Sequence, residues 1–312
     1  MAGVVRLLQT NNARVIGRHG NVPPFANSTD KIAFPLAALI VILAALLVPA
    51  SLLTSPAAMT TTCAMLLIGG LPHGALDLAV LRREADQRTA LVVTLYLGLA
   101  AVMFATWQVA PTLALALFLA MAIAHFAEDW SDAEHPFFAV GIAVALISAP
   151  ALMHHQALAE LFIMLAGEPG AAGLADTLLL VAPVAAACAL LAMLLLWNAG
   201  SRASACNAGC ALLAMILLPP ITGFAIYFCL IHSPSHFRAG LRRLAPSNGV
   251  AKPTIVATLG GMAIAVVAFV FLPTAAPSSR LFAASFMTLS ILTLPHMAVP
   301  LILRRLGFSA RR

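Results

Sequence analysis

Ala211-Leu-Leu-Ala-Met-Ile-Leu-Leu-Pro-Pro-Ile-Thr-Gly-Phe-Ala-Ile-Tyr-Phe-Cys-Leu-Ile-His232-Ser-Pro-Ser-His236-Phe237 is a long apolar run that ends on two histidines four residues apart. On a helix, positions i and i+4 share a face, so both imidazoles can reach one metal ion. Pro234 between them allows two backbones. Either a new helix starts at Pro234 with Ser233 as its N-cap, or the preceding span continues through a kink. Both keep His232 and His236 close, and only the second guarantees one face. The same spacing recurs in His73-Gly-Ala-Leu-Asp77 and His125-Phe-Ala-Glu-Asp129, and His296 stands in Leu294-Pro295-His296.

Composition sets the class around this stretch. Hydrophobic residues make up 62% of the 312 and charged residues only 9%, whereas soluble domains are nearer half apolar and a quarter charged. The chain is therefore expected to be all-α, a polytopic bundle of transmembrane helices. Its net charge of +6 does not point to nucleic acid. The basic residues cluster between apolar runs, where they orient a membrane chain. Residues 1–31 hold Arg6, Arg14, Arg18 and Lys31 without a compact apolar core, so they read as a retained tail and not a secretory signal. Cys63, Cys188, Cys206, Cys210 and Cys229 form no CxxC pair and read as small buried hydrophobes.

Apolar runs of spanning length fall near 32–53, 60–81, 89–109, 111–130, 137–153, 173–197, 205–231, 253–273 and 281–303. Four basic groups flank them: the N-terminal tail, Arg82/Arg83/Arg88, Arg238/Arg242/Arg243/Lys252, and Arg304/Arg305/Arg311/Arg312. Nine full spans would place the last two groups outside the cell, against the positive-inside bias. An even number avoids this. We expect about eight spans (eight to ten), both termini cytoplasmic, and no simple crossing at 137–167. The single transmembrane helical domain is then 32–303, between a tail at 1–31 and a basic tail at 304–312. His73, His125, His232 and His296 all fall in the last part of runs that end on the cytoplasmic side.

An ionisable group inside a span is expensive and points to function. The plain alternative, a histidine hydrogen-bonded for helix packing, explains single residues better than a recurring pattern. Asp77 and Asp129 lie one turn beyond their histidines, where a carboxylate can hold the non-ligating nitrogen of a metal-binding imidazole; Asp129, beside Glu128, Asp132 and Glu134, reads equally as part of a solvated acidic loop. His19 and His135 read as solvated, and His154 and His155 as interfacial. Trp107, Trp130 and Trp197 end apolar runs and read as belt residues. Phe126, Phe224, Tyr227, Phe228 and Phe237 flank the histidine motifs as core or as the lining of an apolar tunnel.

Neutral imidazoles with few thiolates suit zinc, copper, iron or nickel. HExxH is absent, which argues against a zinc protease, and the histidines are too few for a di-iron desaturase. The economical reading is one mononuclear metal held by His73, His125, His232 and His236, with positions left open for a small molecule. Bis-histidine haem, another oxygenase acting on a lipid, and a metal- or proton-coupled transporter stay as alternatives. A transporter predicts histidines spread through the membrane depth and inverted repeats, and no repeat is evident.

Leu71-Pro72-His73-Gly74-Ala75-Leu76-Asp77, Ala124-His125-Phe126-Ala127-Glu128-Asp129-Trp130, His232-Ser233-Pro234-Ser235-His236-Phe237 and Leu294-Pro295-His296, in this order, resemble the Brp/Blh family of membrane β-carotene 15,15′-dioxygenases. The resemblance spans about 60–303. It implies an iron(II)-dependent enzyme of the cell membrane, bacterial inner membrane by expectation, that splits β-carotene with O₂ into two retinals for a microbial rhodopsin or similar protein. Carried over by motif, His73, His125, His232 and His236 are the iron ligands, and His296, Asp77 and Asp129 support them.

Overall fold

Prolines and short polar breaks cut the apolar runs into helices. The computed structural model describes residues 30–85, 89–133, 135–244, 251–272 and 276–305, with the side chains of 30–34, 73, 77–85, 243 and 303–305 outside the description. Every described element is helical: α1 (Asp30–Leu46), α2 (Ala50–Leu53), α3 (Pro56–Ala85), α4 (Thr89–Val109), α5 (Pro111–Phe126), α6 (Pro136–Ser148), α7 (Pro150–Ala166), α8 (Ala172–Asn198), α9 (Arg202–Leu217), α10 (Pro220–Tyr227), α11 (Ser233–Leu244), α12 (Ala251–Phe271) and α13 (Pro277–Arg305). Pro56, Pro111, Pro136, Pro150, Pro220 and Pro277 each open a helix, where the missing amide hydrogen is not needed and φ is already helical.

The molecule is an all-α membrane bundle. Among the described residues, Thr89–Val109, Pro111–Trp130, Pro169–Asn198, Ala251–Phe271 and Pro277–Ile302 are each long and apolar enough to cross a bilayer. The expected irregularity at 137–167 takes the form of a bent pair, α6 and α7, that meet at 50°. The run 60–81 lies within the 30-residue helix α3. The run 205–231 is not one helix. Pro219 drives Leu218 into an extended conformation (φ −103°, ψ 157°), and Pro220 starts α10.

Two groups of helices flank a central pair. On one side α6 and α7 pack on α8, and α9 packs on α8 and α1; on the other, α3 packs against α11, α12 and α13, and α13 also against α4. Helix α5 touches α4, α6, α7 and α13, while α10 touches α9 and α3. The ends of these two helices lead into the site. Trp107 and Trp130, expected at the membrane rim, are instead buried, and only Trp197 is exposed. The Trp107 indole donates to Ser290 Oγ at 3.0 Å, so its polar edge is satisfied inside the bundle.

Gly69-Gly70 explains how α3 reaches the site. A Cβ at Gly70 would run into the Phe228 ring, and one at Gly69 would lie 3.2 Å from Cys229 Sγ. Only a bare backbone lets α3 come this close. The Ser233 hydroxyl then donates to the Gly69 carbonyl. Gly98 on α4, by contrast, has nothing within 4 Å of its would-be Cβ. Gly70→Ala is expected to destabilise the purified protein by about 1–3 kcal/mol through overpacking, while Gly98→Ala gains up to about 1 kcal/mol of helix propensity. Thermal unfolding in one detergent checks both.

Candidate metal centre

Helix α5 brings His125 to its last turn and passes into a 3-10 turn, Ala127–Trp130, that carries Asp129. Helix α10 passes into a π-helical turn, Phe228–His232, and on into α11, which starts at Ser233 and carries His236. Ser233 has helical angles (φ −59°, ψ −44°), so the chain continues through Pro234 and no new helix begins there. The wide turn just before Pro234 makes room for a ring that would otherwise press on the carbonyl four residues back. Ser235 Oγ donates to the His232 carbonyl at 2.7 Å.

These elements converge. One ligand-capable atom from each of His125, His232 and His236 lies within 4.8 Å of the others. The His232 ring centroid is 4.8 Å from that of His125 and 4.5 Å from that of His236. His125 and His232 are buried, and His236 is partly so. His296 joins from α13, its ring 4.7 Å from His125. His73 and Gly74 sit on α3, and a Cβ at Gly74 would lie 4.0 Å from His296 Nδ1. The side chains of His73 and Asp77 lie outside the described residues.

Asp129 organises the cluster. It is only 3% exposed. His232 Nδ1 donates to its Oδ2 at 2.9 Å, and Tyr227 Oη donates to the same oxygen at 2.6 Å. His236 Nε2 donates to Oδ1 at 2.8 Å. Each imidazole thus has its tautomer set: the lone pair is on Nε2 of His232 and on Nδ1 of His236. A carboxylate that fixes imidazoles this way raises their basicity and is a common feature behind metal-binding histidines. Neutral nitrogen donors with one adjacent negative charge fit a divalent transition metal.

The remaining sequence-predicted residues divide. Phe126, Phe224 and Phe228 line an apolar cavity of about 360 Å³ that also reaches His125 and His296. Phe228 stacks on His232 at 5.2 Å and Phe126 meets it edge-on at 4.9 Å. Tyr227 and Phe237 do not line the cavity. Tyr227 is turned onto Asp129, and Phe237 packs with Leu76 and Leu244. His135 is exposed and accepts the Phe137 amide at the start of α6. His155 pairs with Asp176 at 2.8 Å, away from the cluster, and His154 marks a kink in α7 (φ −129°). The Tyr227–Asp129 bond was missed by sequence reasoning.

Residues 63–304 match the family model described as beta-carotene 15,15′-dioxygenase. The chain belongs to the β-carotene 15,15′-dioxygenase family. It is thereby a carotenoid-cleaving enzyme. A relative from an uncultured marine bacterium (66A03), itself named beta-carotene 15,15′-dioxygenase, is 29% identical over an alignment covering 75% of this chain and 90% of that protein. No solved structure matches the chain.

Asp129→Asn keeps the shape of the carboxylate but cannot accept from both imidazoles and Tyr227 in the same way. It is expected to weaken metal retention about 10- to 100-fold. Tyr227→Phe removes one hydrogen bond to a charged group, roughly 1.5–3 kcal/mol, and is expected to have the smaller effect. Metal content after graded chelation, with helical content by circular dichroism alongside, checks the order.

Proposed function

We propose that the protein is an integral-membrane, iron(II)-dependent dioxygenase that splits the central double bond of β-carotene with O₂ and releases two retinals. The observation that carries this reading is the cluster of His125, His232 and His236, of which His125 lies on the wall of an apolar cavity, in a chain of this family. In the proposal His73, His125, His232 and His236 hold the metal, and Asp129, Asp77 and His296 support them. Bound iron would supply the redox chemistry that activates O₂.

The chain's own task is to bring a water-insoluble hydrocarbon to that point. Leu97 on α4 is 63% exposed and also lines the cavity. Gly260 on α12 does the same. The cavity therefore opens sideways between two apolar helices, and a carotenoid dissolved in the bilayer enters without passing through water. Phe126 and Phe228 flank His232 and hold the polyene in register, while the apolar walls exclude water from the reacting bond. Asp129 holds the protons on His232 Nδ1 and His236 Nε2, which leaves the opposite nitrogens as the donors, without being a ligand itself.

In this proposal the protein sits in a bacterial cell membrane with the unit 32–303 as its catalytic domain, and the positive-inside pattern favours cytoplasmic termini. Retinal, also apolar, leaves into the same bilayer, where a microbial rhodopsin or similar retinal protein takes it up.

Cells that accumulate β-carotene are expected to yield retinal when they express the protein and none when they express a folded His232→Ala variant. Extracted pigments, separated by chromatography, give the answer; intact β-carotene beside an iron-loaded wild type would sink the proposal. A second variant tests the entry route. A Cβ at Gly260 meets nothing within 4 Å, so Gly260→Trp is expected to fold and keep its iron. It should lower kcat/KM for β-carotene by roughly tenfold or more as the mouth is plugged, since closing off substrate placement is costly.

A further inference from the structure

A second cavity, of about 80 Å³, lies beside α5 and is bounded by α6, α7, α9, α10 and α13. Every residue lining it is apolar, among them Ile147, Phe162, Met215 and Phe282. Phe118, Ala122 and Phe224 are walls of both this cavity and the one that reaches His125. The two spaces are thus separated by two phenyl rings and a methyl group, with no polar side chain between them. Phe224 lies within a row of rings, 5.3 Å from Phe228 and 5.6 Å from Phe286, which in turn is 4.8 Å from Phe282. That row runs from the wall of the first cavity to the wall of the second.

We infer that the second cavity is the binding site for the far, oxygen-free hydrocarbon end of the substrate, reached past Phe118 and Phe224. This rests on the carotenoid-cleaving reading and adds to it where the second half of a two-ended substrate goes. Three observations converge on it. A substrate cut at its middle must extend both ways from the metal centre, and the large cavity runs from His125 and His296 to the exposed Leu97 and Gly260. The second space abuts it, with Phe118, Ala122 and Phe224 as shared walls. Its lining offers no partner for a hydroxyl or a carbonyl, so it takes a plain hydrocarbon ring and stays dry without one. At about 80 Å³ it is smaller than a cavity known to hold a benzene-sized guest, so a ring enters as the Phe118 and Phe224 side chains turn aside. An added hydroxyl on that end group is rejected by up to about a hundredfold.

The test compares two substrates: β-carotene, and a carotenoid aldehyde that keeps one ring and the central double bond but lacks the second ring. Met215→Phe fills the second cavity, and Phe162→Ala enlarges it; neither residue lines the first. The readout is the ratio of kcat/KM for the two-ringed over the one-ringed substrate, with retinal measured as product. Met215→Phe is expected to lower this ratio at least tenfold, with the one-ringed substrate cleaved at near its original rate, and Phe162→Ala to raise it twofold or more. A ratio unchanged in both variants overturns the inference. If Met215→Phe does not fold, Phe162→Ala decides alone, an unchanged ratio counting against. A wild type that cleaves neither substrate overturns the carotenoid-cleaving reading itself.

Discussion

A carboxylate buried among apolar helices cannot stand without partners. An ionised group taken out of water costs several kcal/mol even after relaxation, and Asp129 is almost fully enclosed. It is held by His232, His236 and Tyr227, three donors from one continuous helical stretch. The end of α5, the end of α10 and the start of α11 are therefore fixed relative to one another by a single side chain. Removal of one member of such a network leaves a buried charge partly unmet, which is more damaging than loss of an ordinary hydrogen bond. A divalent cation beside the imidazoles would also see the negative charge of Asp129, which offsets the uncompensated charge of an all-histidine ligand set.

The π-helical turn at Phe228–His232 makes this geometry possible. In a regular α-helix, residues five apart are rotated by about 140° from each other, so Tyr227 and His232 would face different neighbours. A turn closed over five residues brings them into line, and both donate to the same oxygen of Asp129. This is why Tyr227 could not be assigned from the sequence. Its spacing from His232 has meaning only once the turn widens, and the signal for widening is one proline, Pro234, two residues beyond His232. The His232–His236 pair is legible because the helix does continue beyond the turn, and i,i+4 again means one face. His125 and Asp129 are legible as one motif. Their working partners, however, come from another helix about a hundred residues away, and local spacing carries no such information.

The same distinction runs through the fold. Long apolar stretches announce spans, and α4, α8, α12 and α13 follow the runs closely. Hydropathy does not register backbone breaks, so the 205–231 run hides the Leu218–Pro219 interruption, although the two prolines are its visible cause. Nor does it say which face a side chain takes. Trp107 and Trp130 sit at run ends like belt residues, but the bundle curls over them. His296 shows the limit most plainly: Leu294-Pro295-His296 marks a histidine in a greasy helix, and only the packing of α13 brings its ring beside His125.

Helix α5 carries the chemistry and the fit at different heights. Phe118, Ala122, His125 and Asp129 recur at spacings of three and four, so they form one stripe. At 1.5 Å of rise per residue, Phe118 lies about 10 Å along the axis from His125 and Ala122 about 4.5 Å. The electrostatic centre thus occupies one end of the stripe and the apolar walls the other. Changes at Phe118 or Ala122 reshape both apolar cavities without touching the Asp129 network. Changes at the histidine end alter the donor set without moving those walls. In the proposed function this one helix sets how far along a featureless polyene the reacting bond lies, because a chain with no polar handle can be registered only by where its bulky ends are stopped. In that proposal the apolar surfaces beside α5 supply the positional information that hydrogen bonds supply for a polar substrate.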